Sequence, residues 1–241
     1  MTAALLFVAA ILGGAIAALS GFGIGSILTP LLALSVGTKE AVVAVSIPHL
    51  VATTIRFWSL RHNINRQLLK NFGIASASGG LLGAWLGSRF SSPVLAYILG
   101  GLLVFAGFMG LTGLSKKMRL GKEIAWLGGA LSGLLGGLVG NQGGVRSAAM
   151  LGFNLEAKTF VATATAIALI VDGARMPIYF FTSPETVHRL AALISIMVVG
   201  VTIGTLAGGR VLARMPENYF RRLVSLLIFA LGIVMLSSVD R

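Results

Sequence analysis

The sequence has no cysteine, only seven acidic residues and only three histidines among 241 positions. Without cysteine the chain cannot form a disulfide, a thiolate zinc site or an iron–sulfur cluster. The few carboxylates and histidines are scattered along the chain, so we expect no metal and no cofactor. Charged residues make up 11% of the chain, against about 25% in a typical soluble domain, and are too few to cover a soluble surface.

Apolar residues dominate instead, at 56% of the chain. Six apolar runs are long enough to cross about 30 Å of hydrocarbon, at residues 39–60, 68–88, 93–114, 156–181, 189–212 and 219–239. We therefore predict an all-α fold, a polytopic membrane helix bundle that forms a single transmembrane domain over residues 1–241. No basic residue precedes the apolar run 3–20, so we assign it to the bundle rather than to a signal peptide. The net charge of +12 is assigned to loops, because no basic face with interleaved aromatic residues indicates nucleic-acid binding.

The two halves of the chain repeat each other at an offset of 119 residues. Repeat 1 covers residues 1–114 and repeat 2 covers residues 121–241. The offset superposes two glycine clusters, one at residues 21–25 and the other at residues 140–144. Glycine-broken segments at corresponding positions of two halves indicate the binding site of a secondary transporter.

The distribution of basic residues favours halves of opposite orientation. If each glycine-broken segment crosses the membrane, the chain has eight spans, and its sixteen loop cations divide nine to seven. If each segment is a re-entrant hairpin, six spans remain and the cations divide twelve to four, which obeys the positive-inside rule. We therefore predict two inverted repeats, each with one glycine-broken re-entrant hairpin and three spanning helices, and both termini outside. The alternative stays open because residues 3–20 are long enough to cross alone. The predicted external cations are Lys39, Arg89, Arg189 and Arg241.

The two glycine clusters are the first candidate site. An irregular backbone inside a membrane must be buried in protein or line a cavity. Each cluster precedes a short helix whose free N–H groups and positive dipole end suit a small anion, and glycine lets the backbone approach that anion closely. The alternative is that these glycines only let helices pack, as we expect for Gly79, Gly80, Gly83, Gly87, Gly204, Gly208 and Gly209. The predicted substrate-binding residues are Gly21, Gly23, Gly25, Gly140, Asn141, Gln142, Gly143, Gly144 and Arg146.

Three arginines fall outside the loops. Arg146 lies two residues past the second glycine cluster and should be deep in the membrane, where an anionic substrate would offset the cost of its burial. Arg56 and Arg175 are repeat mates near the ends of their helices. They are candidates for gating or secondary anion contact, and the alternative is that both snorkel to the interface. Asp172 can pair with Arg175 on one helical face.

His49 and Asp172 are candidates for proton coupling, because the other histidines and carboxylates fall in loops or at span ends. The unperturbed pKa of histidine, about 6.5, suits a proton carrier near neutral pH. The alternatives are a hydrogen-bonded interior histidine and a purely structural pair between Asp172 and Arg175. Hydroxyl groups that could line the same cavity are those of Ser46, Thr163 and Thr165. Aromatic residues expected at the membrane interface are Trp58, Trp85, Trp126 and Tyr179.

Three motifs carry a family resemblance. The chain reads ALSGFGIGSILTP at residues 18–30, GLLGGLVGNQGG at residues 133–144 and VDGARMPIY at residues 171–179. Together they resemble the sulfite exporter TauE/SafE family over essentially the whole chain, with Ser26 where a third glycine is common. The resemblance implies a multi-pass protein of the cell inner (plasma) membrane of a bacterium or archaeon. It also implies transport of small sulfur oxyanions and organosulfonates, often outward.

The expected function is therefore secondary transport of a small sulfur-containing anion, such as sulfite, thiosulfate or an organosulfonate. Alternating access would take place around an anion site at the membrane midplane. The expected partners are that anion, the lipid bilayer and protons as a candidate coupling ion, with no nucleic acid. An anion channel is the alternative, since it would use the same glycine clusters and arginines. No paired-carboxylate, Ser–His or Cys–His motif indicates an enzyme.

Overall fold

The structure is a computed structural model that describes residues 2–114, 125–141, 143–151, 153, 155–208 and 217–239. These residues form eleven α-helices and no strand, which confirms the all-α prediction. A 3-10 turn, Arg61–Asn63, follows the third helix, and a π-helical turn, Gly204–Gly208, extends the tenth. The helices are α1 (Ala3–Ser20), α2 (Ile24–Val36), α3 (Thr38–Leu60), α4 (Arg66–Arg89), α5 (Ser92–Leu111), α6 (Ala125–Val139), α7 (Gly143–Leu151), α8 (Ala157–Thr182), α9 (Pro184–Arg189), α10 (Ala191–Ile203) and α11 (Glu217–Val239).

The described helices are compatible with a membrane bundle. Four segments are long and apolar enough to cross a bilayer, namely Ala3–Ser20, Thr38–Asn63, Ser92–Leu111 and Lys158–Thr182. Large apolar side chains also cover the outside of the bundle, where Phe181 is 87% exposed and Ile74 68% exposed. A soluble protein would leave such a surface in water, whereas lipid solvates it.

Helices of each half of the chain pack against helices of the other half. The first helix of each half lies against a helix of the other half, so that α1 packs on α10 and α6 packs on α4. Glycine makes both contacts close: a Cβ added at Gly204 would overlap the backbone of α1, and a Cβ added at Gly79 or Gly83 would overlap the backbone of α6. The predicted packing role of these three glycines therefore agrees with the structure. The remaining long helices pair with their own repeat mates, α3 with α8 and α5 with α11.

The chain reverses direction at the first glycine cluster. Gly21 ends α1 in the left-handed region, at φ 77°, and its repeat mate Gly140 ends α6 in the same way, at φ 71°. A residue with a Cβ is strained in this conformation, which explains why glycine stands at both positions. Past the first break, Ile24 at the start of α2 lies against Gly13 of α1, so α2 folds back along α1 instead of continuing it.

Candidate functional site

The two glycine clusters, residues 21–25 and 140–144, form the tips of the broken segments, and these tips lie against each other. The Cα atom of Gly25 approaches the Gly140 carbonyl so closely that a Cβ there would overlap the oxygen. Ser26 donates a hydrogen bond to Oδ1 of Asn141, with 3.2 Å between the oxygen atoms. Phe22 packs on Gly143 in the same way, so that a Cβ on this glycine would overlap the phenylalanine side chain. Close packing is thus one reason for these glycines, and the resulting contact brings the starts of α2 and α7 together.

A small cavity lies between the tips. It has room for about one water-sized group. The first N–H groups of a helix have no partner within that helix, so α2 and α7 both direct donors and positive dipole ends towards this region. The lining residues are Phe22, Gly23, Gly25 and Ser26 from the first tip, Gly140, Asn141, Gly143 and Arg146 from the second, and His49 from α3.

Arg146 is the charged residue of the second tip. Its side chain is buried, and its Nη2 donates to the carbonyl oxygen of Gly21 at 3.2 Å, which links the second tip to the end of α1. Its Nε and Nη1 atoms are buried without a hydrogen-bond partner among the described residues. A buried guanidinium with unsatisfied donors is unfavourable unless a negative group pairs with it. Arg146 therefore contributes to the cavity wall a guanidinium with two donors that have no partner among the described residues.

Asp172 forms the centre of a buried network next to the cavity. One carboxylate oxygen, Oδ2, lies 2.7 Å from Nδ1 of His49, and the other, Oδ1, lies 2.7 Å from Nη2 of Arg175. Arg175 also donates to the carbonyl oxygen of Gly136 at 2.5 Å, and Tyr179 donates to that of Gly137. The pair between Asp172 and Arg175 was predicted from their spacing, whereas the contact with His49 was not. The network connects α8 to α3 and to the last turns of α6.

Arg56 lies in the same buried region with fewer partners. Its Nη2 donates to Oγ1 of Thr53 at 3.2 Å, and this hydroxyl lies 3.4 Å from Nδ1 of His49. Its Nε and Nη1 atoms have no hydrogen-bond partner among the described residues. The arginine is near enough for its charge to act on Asp172 and on Arg146. Arg56 therefore adds a positive charge to the site without lining the cavity.

The structure excludes one alternative and corrects one expectation about membrane position. Arg56 and Arg175 do not extend to the membrane interface, because their side chains are 4% and 1% exposed and form contacts in the interior. Tyr179 is not an interface residue either, because it is buried and its hydroxyl contacts α6. In contrast, Trp58 and Trp85 are exposed and each lies beneath a guanidinium, as expected of aromatic residues at an interface.

The three hydroxyl residues predicted to line the cavity are not part of its wall. Thr163 accepts a hydrogen bond from the backbone N–H of Asn65, and Ser46 donates to the carbonyl of its own helix at Val43. Neither is among the residues that line the cavity. Thr165 is buried but does not line it. Gln142 lies outside the described residues, and Gly144 falls in the first turn of α7.

Comparison with known proteins identifies the family. Neither the curated proteins nor the solved structures gave a match. The sequence model of one family, described as sulfite exporter TauE/SafE, matches residues 6–235. Its members are membrane transporters, which agrees with the apolar helices and with the resemblance of the glycine motifs. The match covers nearly the whole chain, and the chain therefore belongs to the sulfite exporter TauE/SafE family.

Proposed function

We propose that this protein is a secondary transporter that exports a small sulfur-containing anion, such as sulfite, thiosulfate or an organosulfonate, by alternating access. The observation that carries the proposal is the meeting of two glycine tips around Arg146, a buried residue of the cavity wall whose Nε and Nη1 have no hydrogen-bond partner among the described residues. Helix N-termini and an unpaired guanidinium are the groups that bind oxyanions in proteins. The cell inner membrane is the proposed location, as is usual for transporters of this kind.

The small size of the cavity supports a transporter over its alternative, an anion channel. A sulfur oxyanion is several times larger than a water molecule, so the tips must separate before the anion can enter. In a channel the ion passes along a continuous path, whereas in a transporter the site closes at least once in each cycle. Direct contact between the tips of the two halves agrees with a transporter whose site closes in each cycle.

Flux measurements in liposomes test the proposal. The purified protein is reconstituted, and entry of thiosulfate or sulfite is followed together with membrane conductance. We expect saturable flux with little conductance, because each turnover requires the tips to open and close. Flux that rises linearly with anion concentration and carries a matching current would indicate the channel instead.

We further propose that the two halves are inverted repeats with the tips as re-entrant hairpins. The crossed packing of α1 on α10 and of α6 on α4 supports a two-fold relation, because repeat mates make equivalent contacts. The reversal of the chain between α1 and α2 supports the hairpin. The contact of the tips then lies between the two sides of the membrane, where alternating access needs the site.

Labelling of single cysteines tests this topology in a chain that has no cysteine of its own. Arg89 and Lys158 are both exposed, so Arg89→Cys and Lys158→Cys are accessible to reagent. We expect an impermeant maleimide to label the first variant from outside intact cells and the second only after the membrane is opened. Labelling of both from the same side would contradict the hairpin arrangement, because eight full crossings place both residues on one side.

A further inference from the structure

The buried charges around the cavity do not balance. The described part of the chain buries three guanidinium groups, those of Arg56, Arg146 and Arg175, and each is at most 4% exposed. Among the described residues Asp172 is the one buried carboxylate. With His49 neutral, the site therefore carries two uncompensated positive charges, and a third if His49 is protonated.

The contacts show which arginines are compensated. Arg175 pairs with Asp172, donates to the carbonyl of Gly136 and lies 5.8 Å from the ring centre of Tyr179. Arg56 has one hydroxyl as its partner, and Arg146 has one backbone carbonyl. Each of these two arginines keeps Nε and Nη1 without a hydrogen-bond partner among the described residues. The uncompensated charges therefore belong to Arg56 and Arg146.

Two buried guanidinium groups with unpaired donors determine which charge the site favours in its ligand. The water of both guanidinium groups has already been removed on folding, so a bound anion gains their attraction without a further loss of that water. The N-terminal ends of α2 and α7 add positive partial charge. A monoanion would leave one positive charge uncompensated in a medium of low dielectric constant, whereas a dianion would balance both.

We propose that the site selects anions with two negative charges, such as thiosulfate or fully deprotonated sulfite, over monoanionic sulfonates of similar shape. The inference rests on the proposed transport function and narrows its substrate class. The opposing effect is the larger hydration energy of a dianion, which favours leaving it in water. The site offsets this effect because its charges are fixed in place and dehydrated before the anion arrives, and attraction to a fixed pair of cations grows with the charge of the anion.

Binding titrations at constant ionic strength test the charge preference in the wild-type protein. The dianions are thiosulfate, sulfate and sulfite at a pH at which sulfite is fully deprotonated, and the monoanions are methyl sulfate and methanesulfonate. These monoanions present the same face of oxygen atoms with one charge less. We expect the tightest dianion to bind at least about tenfold more tightly than the tightest monoanion, which corresponds to about 1.4 kcal/mol.

Variants show whether the buried charges cause this preference. Arg56→Gln removes one positive charge outside the cavity wall and should reduce the affinity for the dianion more than that for the monoanion. Arg61→Gln is the matched control, because Arg61 is exposed at the end of α3, where its guanidinium lies over Trp58. The control should retain the wild-type preference.

The outcomes separate this inference from the transport proposal. Equal affinities of the wild-type protein for dianions and monoanions would overturn the charge preference and leave anion transport standing. A preference that is unchanged in a folded Arg56→Gln variant would also overturn it. Binding of none of the five anions would overturn the anion site itself, and this inference with it.

Discussion

Arg146→Ala should abolish anion binding, while Arg56→Ala should leave measurable binding and mainly slow transport. Arg146 lines the cavity and has two donors without a partner among the described residues, whereas Arg56 reaches the cavity only through Thr53 and His49. Loss of one partner from a buried, charge-assisted contact typically costs about 2–5 kcal/mol. We therefore expect the affinity of Arg146→Ala for thiosulfate or sulfite to fall by at least about a hundredfold.

A second substitution separates the charge of Arg146 from its shape. Arg146→Lys keeps the positive charge but loses the planar set of donors that can bind Gly21 and an anion together. We expect binding of intermediate strength in this variant. The melting temperature without anion shows whether each variant is folded, and titration calorimetry measures its affinity. An unchanged affinity in a well-folded Arg146→Ala protein would remove Arg146 from the site.

Local sequence patterns predict the parts of the site that one turn or one helix determines. Gly21 and Gly140 were recognisable because the repeat places two glycine clusters at equivalent positions, and in the structure both glycines end a helix in the left-handed conformation that favours glycine. The pair between Asp172 and Arg175 follows from residues that share one face of a helix. These features depend on neighbours in the chain, which a sequence displays directly.

Contacts between distant segments were harder to predict. His49 and Asp172 were each selected because they are titratable residues in apolar runs, but nothing local shows that they touch across α3 and α8. The general rule that buried charges have partners could have predicted that His49 and Asp172 pair with each other. Tyr179 was assigned to the interface from its place near a helix end, although it lies one helical turn from Arg175 and faces the same interior. Its position depends on the packing of α8 against α6, which hydropathy does not reveal.

The contact between His49 and Asp172 changes the hypothesis about proton coupling. Sequence analysis treats the two residues as separate candidates, whereas the structure joins them through atoms 2.7 Å apart. A carboxylate accepts hydrogen bonds, so Nδ1 of His49 is the donor in this pair, and a coupled proton would be gained and lost at Nε2. His49 also lines the cavity, whereas Asp172 does not. We therefore expect His49 to carry the proton and Asp172 to orient its ring.

Electrostatics links this proton to the substrate. The charges of Arg56, Arg175 and Asp172 all act on His49, and Arg146 lines the same cavity. A bound anion would add negative charge next to the imidazole and favour its protonation, so the anion and the proton would bind together. Release of the anion would reverse this effect. Such positive coupling is what cotransport of an anion with a proton requires of one site.

The expected result is that the double variant His49→Gln, Asp172→Asn loses proton-driven flux. Both replacements are neutral and similar in size to the originals, and the amides can retain a hydrogen bond between α3 and α8. The substrate must be thiosulfate or the anion of a strongly acidic sulfonate, because neither carries a proton near neutral pH, whereas sulfite does and would hide the loss. Flux into liposomes is measured with and without a pH gradient, and we expect the gradient to give no increase in the variant. Exchange of internal for external substrate involves no net movement of protons across the membrane and serves as the control for a folded, binding-competent protein. If the pH gradient still accelerates uptake while exchange is normal, neither His49 nor Asp172 carries the proton.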